Sequence, residues 1–340
     1  MILRTPNFWG ERAGLVADVL LPLGVVWDAA GRLRRAVARP WRAPLPVVCV
    51  GNLMAGGAGK TPVTLALAGW LVDRGIAVHI VSRGHGGSAA GPLRVNPAIH
   101  DAAEVGDEAL LLAARAPAWV ARNRASGVAA AAAAGAAVVL LDDGLQNPAV
   151  AKTLALLVID AGYGFGNGRV MPAGPLRENL RRGLARADAA VLLSAAGERR
   201  ACPLAGLEGL PVVPAVLAPV DGERFAGRRV FAFAGIGRPE KFFATLRRLG
   251  AELVGERGFP DHFRFRDGDL VALRSAAAGE RAQLVTTAKD WARLPPAAHA
   301  GIEVLQVETR WPDPAALAGL LTPVVRAAAD NGRDPERHSR

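Results

Sequence analysis

Cysteine and tyrosine are scarce in this sequence, and the scarcity of cysteine excludes several classes of fold. Among 340 residues there are two cysteines, Cys49 and Cys202, and one tyrosine. Two cysteines cannot form a disulfide framework or a four-cysteine zinc site, which favours a reducing compartment. Hydrophobic residues make up 51% and charged residues 21%, a balance that excludes disorder and a collagen-like fibre. An ordinary hydrophobic core is therefore expected.

Long apolar runs and aromatic residues are also few. The long uncharged run at residues 125–141 is mostly alanine and leads to Asp142 and Asp143, which favours a helix feeding a buried strand over a membrane span. Aromatic residues are 5% of the chain and its arginines are dispersed, unlike the interleaved pattern of nucleic-acid readers. The formal net charge of +10 still favours an anionic partner, either a phosphate or a membrane surface. No nucleic acid and no obligate protein partner are expected.

The N-terminal segment, residues 1–44, combines an apolar helical pattern with clustered arginines. Its apolar residues recur at helical spacing at Val16, Val19, Leu20, Leu23, Val26 and Trp27. The arginines follow at Arg32, Arg34, Arg35, Arg39 and Arg42. This combination is typical of an amphipathic helix lying in a membrane interface, although a helix packed on its own domain fits the pattern equally well.

From residue 45 onward, short apolar runs alternate with helical stretches. Strands are predicted at residues 45–50, 77–82, 138–141 and 154–160, with a helix near residues 62–73. Such runs joined by helices indicate a mostly parallel sheet covered on both faces. The fold class is therefore α/β, with a P-loop kinase domain over residues 45–210.

After a segment that contains several prolines, the second part of the chain again alternates predicted strands with helices. Residues 211–228 are interpreted as a hinge or connector. Strands at 230–234, 283–287 and 302–307 and a helix at 239–249 then predict a smaller α/β domain over residues 229–330. Residues 331–340 form a polar tail.

A glycine-rich loop between the first strand and its helix carries the clearest functional signal. It contains Met54, Ala55, Gly56, Gly57, Ala58, Gly59, Lys60 and Thr61. Glycines let backbone N–H groups converge on phosphate oxygens, and a helix N-terminus adds partial positive charge. In such loops the lysine reaches the β- and γ-phosphates and the threonine hydroxyl binds Mg²⁺. Met54 stands where the usual pattern has a glycine.

Two acids follow a neighbouring strand. Asp142 and Asp143 come directly after the apolar residues 138–141, at the carboxyl end where open α/β sheets bind ligands. An acid there can hold the metal ion, and the alternative role is to cap the following turn. Because consecutive strand side chains point in opposite directions, both acids face the phosphate only if the chain bends there.

A set of motifs in order along the chain resembles the tetraacyldisaccharide 4′-kinases of lipid A synthesis. The motifs are the variant loop, Ser-Arg-Gly at 82–84, Gly-Asp-Glu at 106–108, Asp-Asp-Gly-Leu-Gln at 142–146, Pro-Ala-Gly-Pro-Leu-Arg-Glu at 172–178, Phe-Ala-Gly-Ile-Gly-Arg-Pro at 233–239, Pro-Asp-His at 260–262 and Thr-Ala-Lys-Asp at 287–290. The resemblance runs from about residue 6 to residue 320. The family's loop also lacks the first glycine, which accounts for Met54.

This resemblance implies a reaction and a location. The expected reaction is transfer of the ATP γ-phosphate, with Mg²⁺, to the 4′-hydroxyl of a lipid disaccharide 1-phosphate. The expected location is peripheral, on the cytoplasmic face of a bacterial inner membrane, with two lobes closing about a hinge.

The resemblance also implies roles for individual residues. Asp107 matches the family's catalytic base, paired with His262, and Asp142 matches the metal-binding acid. The further matching active-site positions are Asp143, Gln146, Arg177 and Glu178. Arg124 matches a basic position, with Arg122 as the other candidate. Without the resemblance, Asp107 would be read as a helix cap and His262 as a surface histidine.

The sequence departs from the family's motifs at two positions. The family often has histidine where Asn147 stands and tyrosine where His85 stands. Asparagine does not titrate near neutrality, so no proton-transfer role is expected at 147, and His85 receives no role.

The alternative function is that of another P-loop ATPase or phosphotransferase acting at the membrane. A GTPase is disfavoured because no Asn-Lys-x-Asp motif is present.

Overall fold

The computed structural model describes residues 6–10, 14–57, 59–197 and 206–333, which form two α/β units. The strands are β1 (Val47–Gly51), β2 (Val78–Ser82), β3 (Leu93–Arg94), β4 (Ala118–Val120), β5 (Val138–Asp142), β6 (Leu154–Asp160), β7 (Ala189–Ala195), β8 (Val212–Pro219), β9 (Arg229–Ala234), β10 (Glu252–Gly258), β11 (Gln283–Thr287), β12 (Ile302–Leu305) and β13 (Val307–Arg310). The α-helices are α1 (Leu15–Ala36), α2 (Lys60–Val72), α3 (Ala102–Val105), α4 (Asp107–Ala113), α5 (Arg124–Ala133), α6 (Leu180–Leu184), α7 (Pro239–Arg248), α8 (Asp267–Gly279), α9 (Ala288–Trp291) and α10 (Pro314–Arg333). Short 3-10 helices lie at Asn7–Trp9, Gly222–Phe225 and Pro296–Ala298.

The first unit is built on a nine-stranded sheet in the order β13-β8-β7-β6-β1-β5-β2-β4-β3. All its pairings are parallel except at the two edges, where β13 and β3 run antiparallel to their neighbours. The central strands β1 and β5 are buried along their whole length because helices cover both faces of the sheet. β1 is in register with β5 such that Val50 lies beside Asp142. The glycine-rich loop and the two acids therefore leave neighbouring strands at the same edge.

The second unit is a four-stranded parallel sheet in the order β10-β9-β11-β12. One face packs on α7 through Phe242, Phe243 and Leu246. The other face packs on α8 through Leu270 and Leu273. The predicted α/β class, with a large mostly parallel sheet and a smaller second unit, is confirmed.

The boundaries between the units differ from the predicted division. Residues 212–219 of the predicted connector form β8, which pairs with β7 inside the first sheet. Residues 307–333 return to the first unit, where β13 pairs with β8 and Leu317 and Leu321 of α10 are fully buried. The strand pattern of β8 was hidden by prolines at positions 211, 214 and 219. The return of β13 to the first sheet could not be predicted, because nothing in its own sequence indicates which strand it pairs with. Of the predicted tail, residues 334–340 lie outside the described part.

Among the described residues, no helix is both long enough and apolar enough to cross a bilayer.

Candidate active site

The loop between β1 and α2 has the shape of a phosphate cradle. Gly56 and Gly59 have φ angles of 102° and 79°, in the left-handed region that side chains other than glycine rarely adopt. A Cβ on Gly59 would also lie 2.3 Å from a side-chain carbon of Leu193. The α-helix then begins at Lys60 with no side-chain cap, so its first N–H groups remain available to an anion. Ala58 lies outside the described residues.

The first half of this loop is held by the segment at residues 175–177. The backbone N–H of Ala55 donates to the carbonyl of Pro175 over 2.7 Å, and that of Arg177 donates to the carbonyl of Leu53 over 2.7 Å. Met54 pairs with Leu176, and its side chain is buried in the core of the first unit. A methionine fits at this position because its side chain is buried there, whereas the left-handed φ angles occur at Gly56 and Gly59.

The two acids face the loop from the end of β5. Asp142 is 1% exposed, and its Oδ1 accepts a hydrogen bond from the hydroxyl of Thr64 at 2.9 Å. Asp143 has a φ angle of 53°, so the chain bends at that residue as the sequence required. Its Oδ2 lies 3.6 Å from Nζ of Lys60. Both carboxylates are thus directed toward the start of α2.

The electrostatic environments of these two acids are opposite. Burial raises the pKa of Asp142 well above its ordinary value, and the nearby charge of Glu108 raises it further. Burial also raises the pKa of Asp143, but the cations Lys60 and Arg177 outweigh it and hold that pKa at about 2. Asp143 is therefore a permanent anion, whereas at Asp142 burial outweighs the opposing effect of Lys60.

Asp142 and Thr61 fit a site for Mg²⁺ bound together with phosphates. Oδ2 of Asp142 is buried and has no hydrogen-bond partner among the described residues. Thr61 stands in the first turn of α2. In the described part of the chain no cluster of three or more His, Cys, Asp or Glu side chains could hold a metal ion. One free carboxylate oxygen beside a threonine at the helix start suits Mg²⁺, which is commonly held by one or two carboxylates plus substrate phosphates.

The predicted residues Gln146, Arg177 and Glu178 form one network beside Asp143. Arg177 binds both oxygens of Asp143, at 2.7 and 3.0 Å, and donates to Oε1 of Gln146 at 3.2 Å. Gln146 donates in turn to Oε1 of Glu178 at 3.1 Å. Glu178 is 1% exposed and also contacts Arg35 and Arg186. The network fixes Asp143 and links it to α1.

Arg124 lies behind the acids. It is buried, and its guanidinium donates to the carbonyl of Ala121 at 2.8 Å and to the carbonyl of Asp142 at 3.3 Å. Its contacts in the structure therefore brace the turn that carries the acids.

Asp107 and His262 meet across the two units. Nδ1 of His262 lies 3.2 Å from Oδ2 of Asp107. The same oxygen accepts from Nε of Arg293 at 2.8 Å, and Oδ1 accepts from the backbone N–H of Glu108 at 3.0 Å. Asp107 is 3% exposed and sits at the start of α4, while His262 and Arg293 belong to the second unit. This cluster is therefore assembled only when the units are together.

Arg293 and Lys289 are the residues of this cluster that sequence reasoning did not select. Arg293 also contacts the buried Asp290 at 3.3 Å and donates to the carbonyl of Gly235 at 2.8 Å. Lys289 approaches Glu108, Asp261 and His262. The motif at residues 287–290 included Lys289 without giving it a role. Arg293 has no local signal, since it is one arginine in an arginine-rich chain.

The cations around Asp107 control its protonation. Burial raises the pKa of its carboxyl, but the hydrogen bond with His262 and the charges of Lys289 and Arg293 outweigh burial and hold the pKa below its ordinary value. Asp107 is therefore ionised throughout the neutral range.

Replacing Arg293 with methionine is expected to lower the free energy of unfolding by about 3–5 kcal/mol, because Asp107 and Asp290 stay buried without the guanidinium that contacts both. The depressed pKa of Asp107 stabilises the fold above its ordinary pKa, and this contribution is lost as the pH falls through the folded-state value. The deficit of the variant should therefore be larger at about pH 7 than at about pH 3. Urea denaturation at both pH values measures it.

Arg229→Met is the matched control. Arg229 pairs with Glu252 and Glu280 at exposed positions, where ion pairs contribute little to stability. Equal losses in the two variants would contradict the importance of the buried cluster.

Comparisons with known proteins identify similar chains. The sequence profile of the family described as Tetraacyldisaccharide-1-P 4'-kinase matches residues 16–326. The chain is 52% identical over 339 residues to the Tetraacyldisaccharide 4'-kinase of Rhodospirillum centenum, covering 97% of this chain and 99% of the relative. It is 48% identical over 323 residues to the enzyme of the same name from Paramagnetospirillum magneticum, covering 95% of this chain and 98% of the relative. A crystal structure of LpxK from Aquifex aeolicus in complex with ATP superposes with a TM-score of 0.72 at 25% identity, covering 91% of this chain and 99% of that chain.

Proposed function

The chain belongs to the tetraacyldisaccharide-1-P 4′-kinase family, and from this membership and its site we propose that it transfers the γ-phosphate of ATP to the 4′-hydroxyl of a tetraacyl disaccharide 1-phosphate. The observation that carries the proposal is that Lys60, Asp142 and Asp107 all belong to the first unit, where Asp107 is held by His262 of the second unit. This combines a phosphate cradle with a base that can receive a proton from an alcohol.

Phosphoryl transfer depends mostly on alignment and on neutralising charge. Lys60 and the N–H groups at the start of α2 stabilise the charge that spreads over the γ-phosphate oxygens. Asp143 holds Lys60 at one end of the site, and Arg177 fixes Asp143. The lysine is thereby oriented before the nucleotide arrives.

Asp107 is the proposed base, and its hydrogen bonds identify the oxygen that acts. Oδ2 accepts from Arg293 and lies beside Nδ1 of His262, whereas Oδ1 accepts from one backbone N–H. A carboxylate oxygen has two lone pairs, so Oδ1 retains one for the hydroxyl proton. As the sugar oxygen bonds to the γ-phosphorus and the bond to ADP breaks, the hydroxyl proton passes to Oδ1.

Mg²⁺ is the proposed metal. Oδ2 of Asp142 and the hydroxyl of Thr61 are the proposed ligands. When bound, Mg²⁺ neutralises phosphate charge and orients the terminal phosphate. Thr64 holds the other oxygen of Asp142, which leaves Oδ2 for the metal.

The predicted roles of the remaining site residues stay proposals. Gln146 and residues 54–59 are proposed to surround the nucleotide, and Arg177 and Glu178 the lipid substrate. Arg124 is proposed to support substrate binding through the turn that it braces.

We further propose that α1 rests on the cytoplasmic face of an inner membrane. The residues of α1 that are buried against the first unit are small or polar, namely Ala17, Gly24 and Asp28. Its large apolar side chains are exposed, among them Val19 at 70% and Val26 at 65%. Such an apolar face beside clustered arginines favours the membrane over packing on the domain alone.

The C-terminal half of α1 also touches the site. Nε1 of Trp27 donates to the carbonyl of Arg177 at 3.0 Å, and Arg35 lies 3.4 Å from Glu178. A lipid substrate drawn from the membrane along α1 would thus reach the network that holds Asp143. This supports a peripheral enzyme that phosphorylates a lipid while the lipid remains associated with the membrane.

Replacing Val19 and Val26 together with glutamate is expected to weaken binding to vesicles by about tenfold or more, because burying one valine is worth roughly 1.5 kcal/mol or more. Co-sedimentation with vesicles containing anionic phospholipid measures the loss. Val271→Glu is the control, since Val271 is a comparably exposed valine on α8 of the second unit. Unchanged vesicle binding by the double variant would refute the proposed membrane face.

Mass spectrometry of the product tests the proposed reaction. A lipid disaccharide 1-phosphate incubated with the protein and Mg-ATP should gain one phosphate, on the non-reducing sugar. Acceptor-independent ATP hydrolysis without product would instead indicate a different P-loop ATPase.

A further inference from the structure

Lys289 is a partly buried ammonium with three hydrogen-bond acceptors around it. Its Nζ lies 3.1 Å from Oε1 of Glu108, 3.4 Å from Oδ1 of Asp261 and 3.2 Å from Nε2 of His262. An ammonium has three N–H donors and no acceptor. Each contact is therefore a donation by Lys289, and the Nε2 atom of His262 must accept.

The other ring nitrogen of His262 is constrained from the opposite side. Nδ1 lies 3.2 Å from Oδ2 of the ionised Asp107, which can only accept. Nδ1 must therefore carry the proton. Two independent neighbours thus select the same neutral tautomer, in which Nδ1–H donates to Asp107 and Nε2 is bare.

The charges around the pair keep Lys289 a cation. Burial lowers its pKa, but Glu108, Asp261 and Asp107 outweigh burial and raise that pKa above its ordinary value. The charged or titratable groups that face His262 are Asp107, Asp261, Lys289 and the ring of His85. Oδ2 of Asp261 is 3.8 Å from Nε2, farther than Lys289 and beyond hydrogen-bond distance.

We propose that Lys289 is a positioning residue that fixes the tautomer of His262 and so holds Asp107 ready as the base. The inference rests on the proposed function of Asp107. Without Lys289, the polar neighbour that remains near Nε2 is the Asp261 carboxylate, which can only accept and therefore favours a proton on Nε2. Nδ1–H is then no longer selected as the donor to Asp107, and the carboxylate loses the contact that orients it.

The direct test is the protonation of His262 in solution. Long-range ¹H–¹⁵N correlation spectra of histidine-labelled full-length protein report each ring nitrogen, and His262→Asn assigns the signal among six histidines. At about pH 8, where an ordinary imidazole is neutral, the wild type should show protonated Nδ1 and bare Nε2. Lys289→Met should show a proton on Nε2, whereas Lys289→Arg, which can also only donate, should retain the wild-type spectrum.

Kinetics supply the second readout. Lys289→Met should lower kcat about 10- to 100-fold, part of the ~10²–10⁴-fold that a general base contributes, with an unchanged KM for ATP. Lys289→Arg should recover most of the loss. Lys241→Met is the matched control, because Lys241 also bridges the units, through Asp160 at 2.7 Å, without touching His262. It should leave the His262 spectrum unchanged.

The possible failures are distinguishable. A protonated Nε2 in the wild type, or a bare Nε2 in Lys289→Met, would overturn the inference about Lys289. A wild-type protein that shows the expected spectrum but forms no phosphorylated disaccharide would instead refute the proposed function. Equal loss of kcat in the methionine and arginine variants would reduce Lys289 to a structural ion pair.

Discussion

Lys60→Ala is expected to lower kcat by about 10²–10³-fold and to weaken ATP binding as well, because its ammonium is the proposed partner of the terminal phosphates. Loss of the lysine also leaves Asp143 with Arg177 as its remaining ion-pair partner. The site then carries more negative charge where a polyanion must bind. Calorimetric titration with Mg-ATP and initial rates with the lipid acceptor measure the two effects separately.

The control for this substitution is Lys152→Ala. Lys152 belongs to the same unit and donates to the carbonyl of Asn147, outside the phosphate loop. It should leave ATP affinity within a small factor of the wild type. An Lys60→Ala protein that binds Mg-ATP normally would show that the loop is not the nucleotide site.

Asp107→Ala is expected to lower turnover without weakening ATP binding, unlike Lys60→Ala, which affects both. Turnover should fall about 10²–10⁴-fold, the usual contribution of a general base, while ATP affinity stays close to that of the wild type. The reason is that Asp107 lies at the junction with the second unit, where its polar contacts are with Glu108, His262 and Arg293. Single-turnover phosphorylation of the lipid acceptor, together with calorimetry, separates chemistry from binding.

A stability measurement is needed beside it, because Asp107 is one partner of a buried ion pair. Asp107→Asn keeps the volume and part of the hydrogen bonding, so it should remain folded while losing the base. Turnover by the asparagine variant equal to that of the wild type would remove Asp107 from the mechanism.

Local pattern identified the parts of the site that are contiguous in sequence. The loop before Lys60 and the acids at the end of β5 each follow a buried strand, and strand ends of a parallel sheet converge at one edge. The sequence alone could not predict the bend at Asp143; it indicated only that both acids would face the loop if the chain bent there. A backbone angle at a single residue depends on its tertiary contacts, here the two hydrogen bonds from Arg177.

Contacts between distant segments were not available from local pattern. The approach of His262 to Asp107 was expected from the resemblance alone, since 155 residues of chain separate two positions that each have an ordinary local explanation. Arg293 is farther still from Asp107 in sequence, and nothing in its surroundings marks it. β8 was missed because its prolines suggest a loop, while its burial depends on β7 and β13 on either side.

The near-complete burial of Asp107 affects how fast ATP is hydrolysed when no sugar acceptor is bound. The proposed base is 3% exposed and both of its oxygens accept hydrogen bonds from the protein, which leaves little space for a water molecule to be activated. Hydrolysis of ATP without an acceptor is therefore expected to be slow, because His262 and Arg293 shield the carboxylate from solvent.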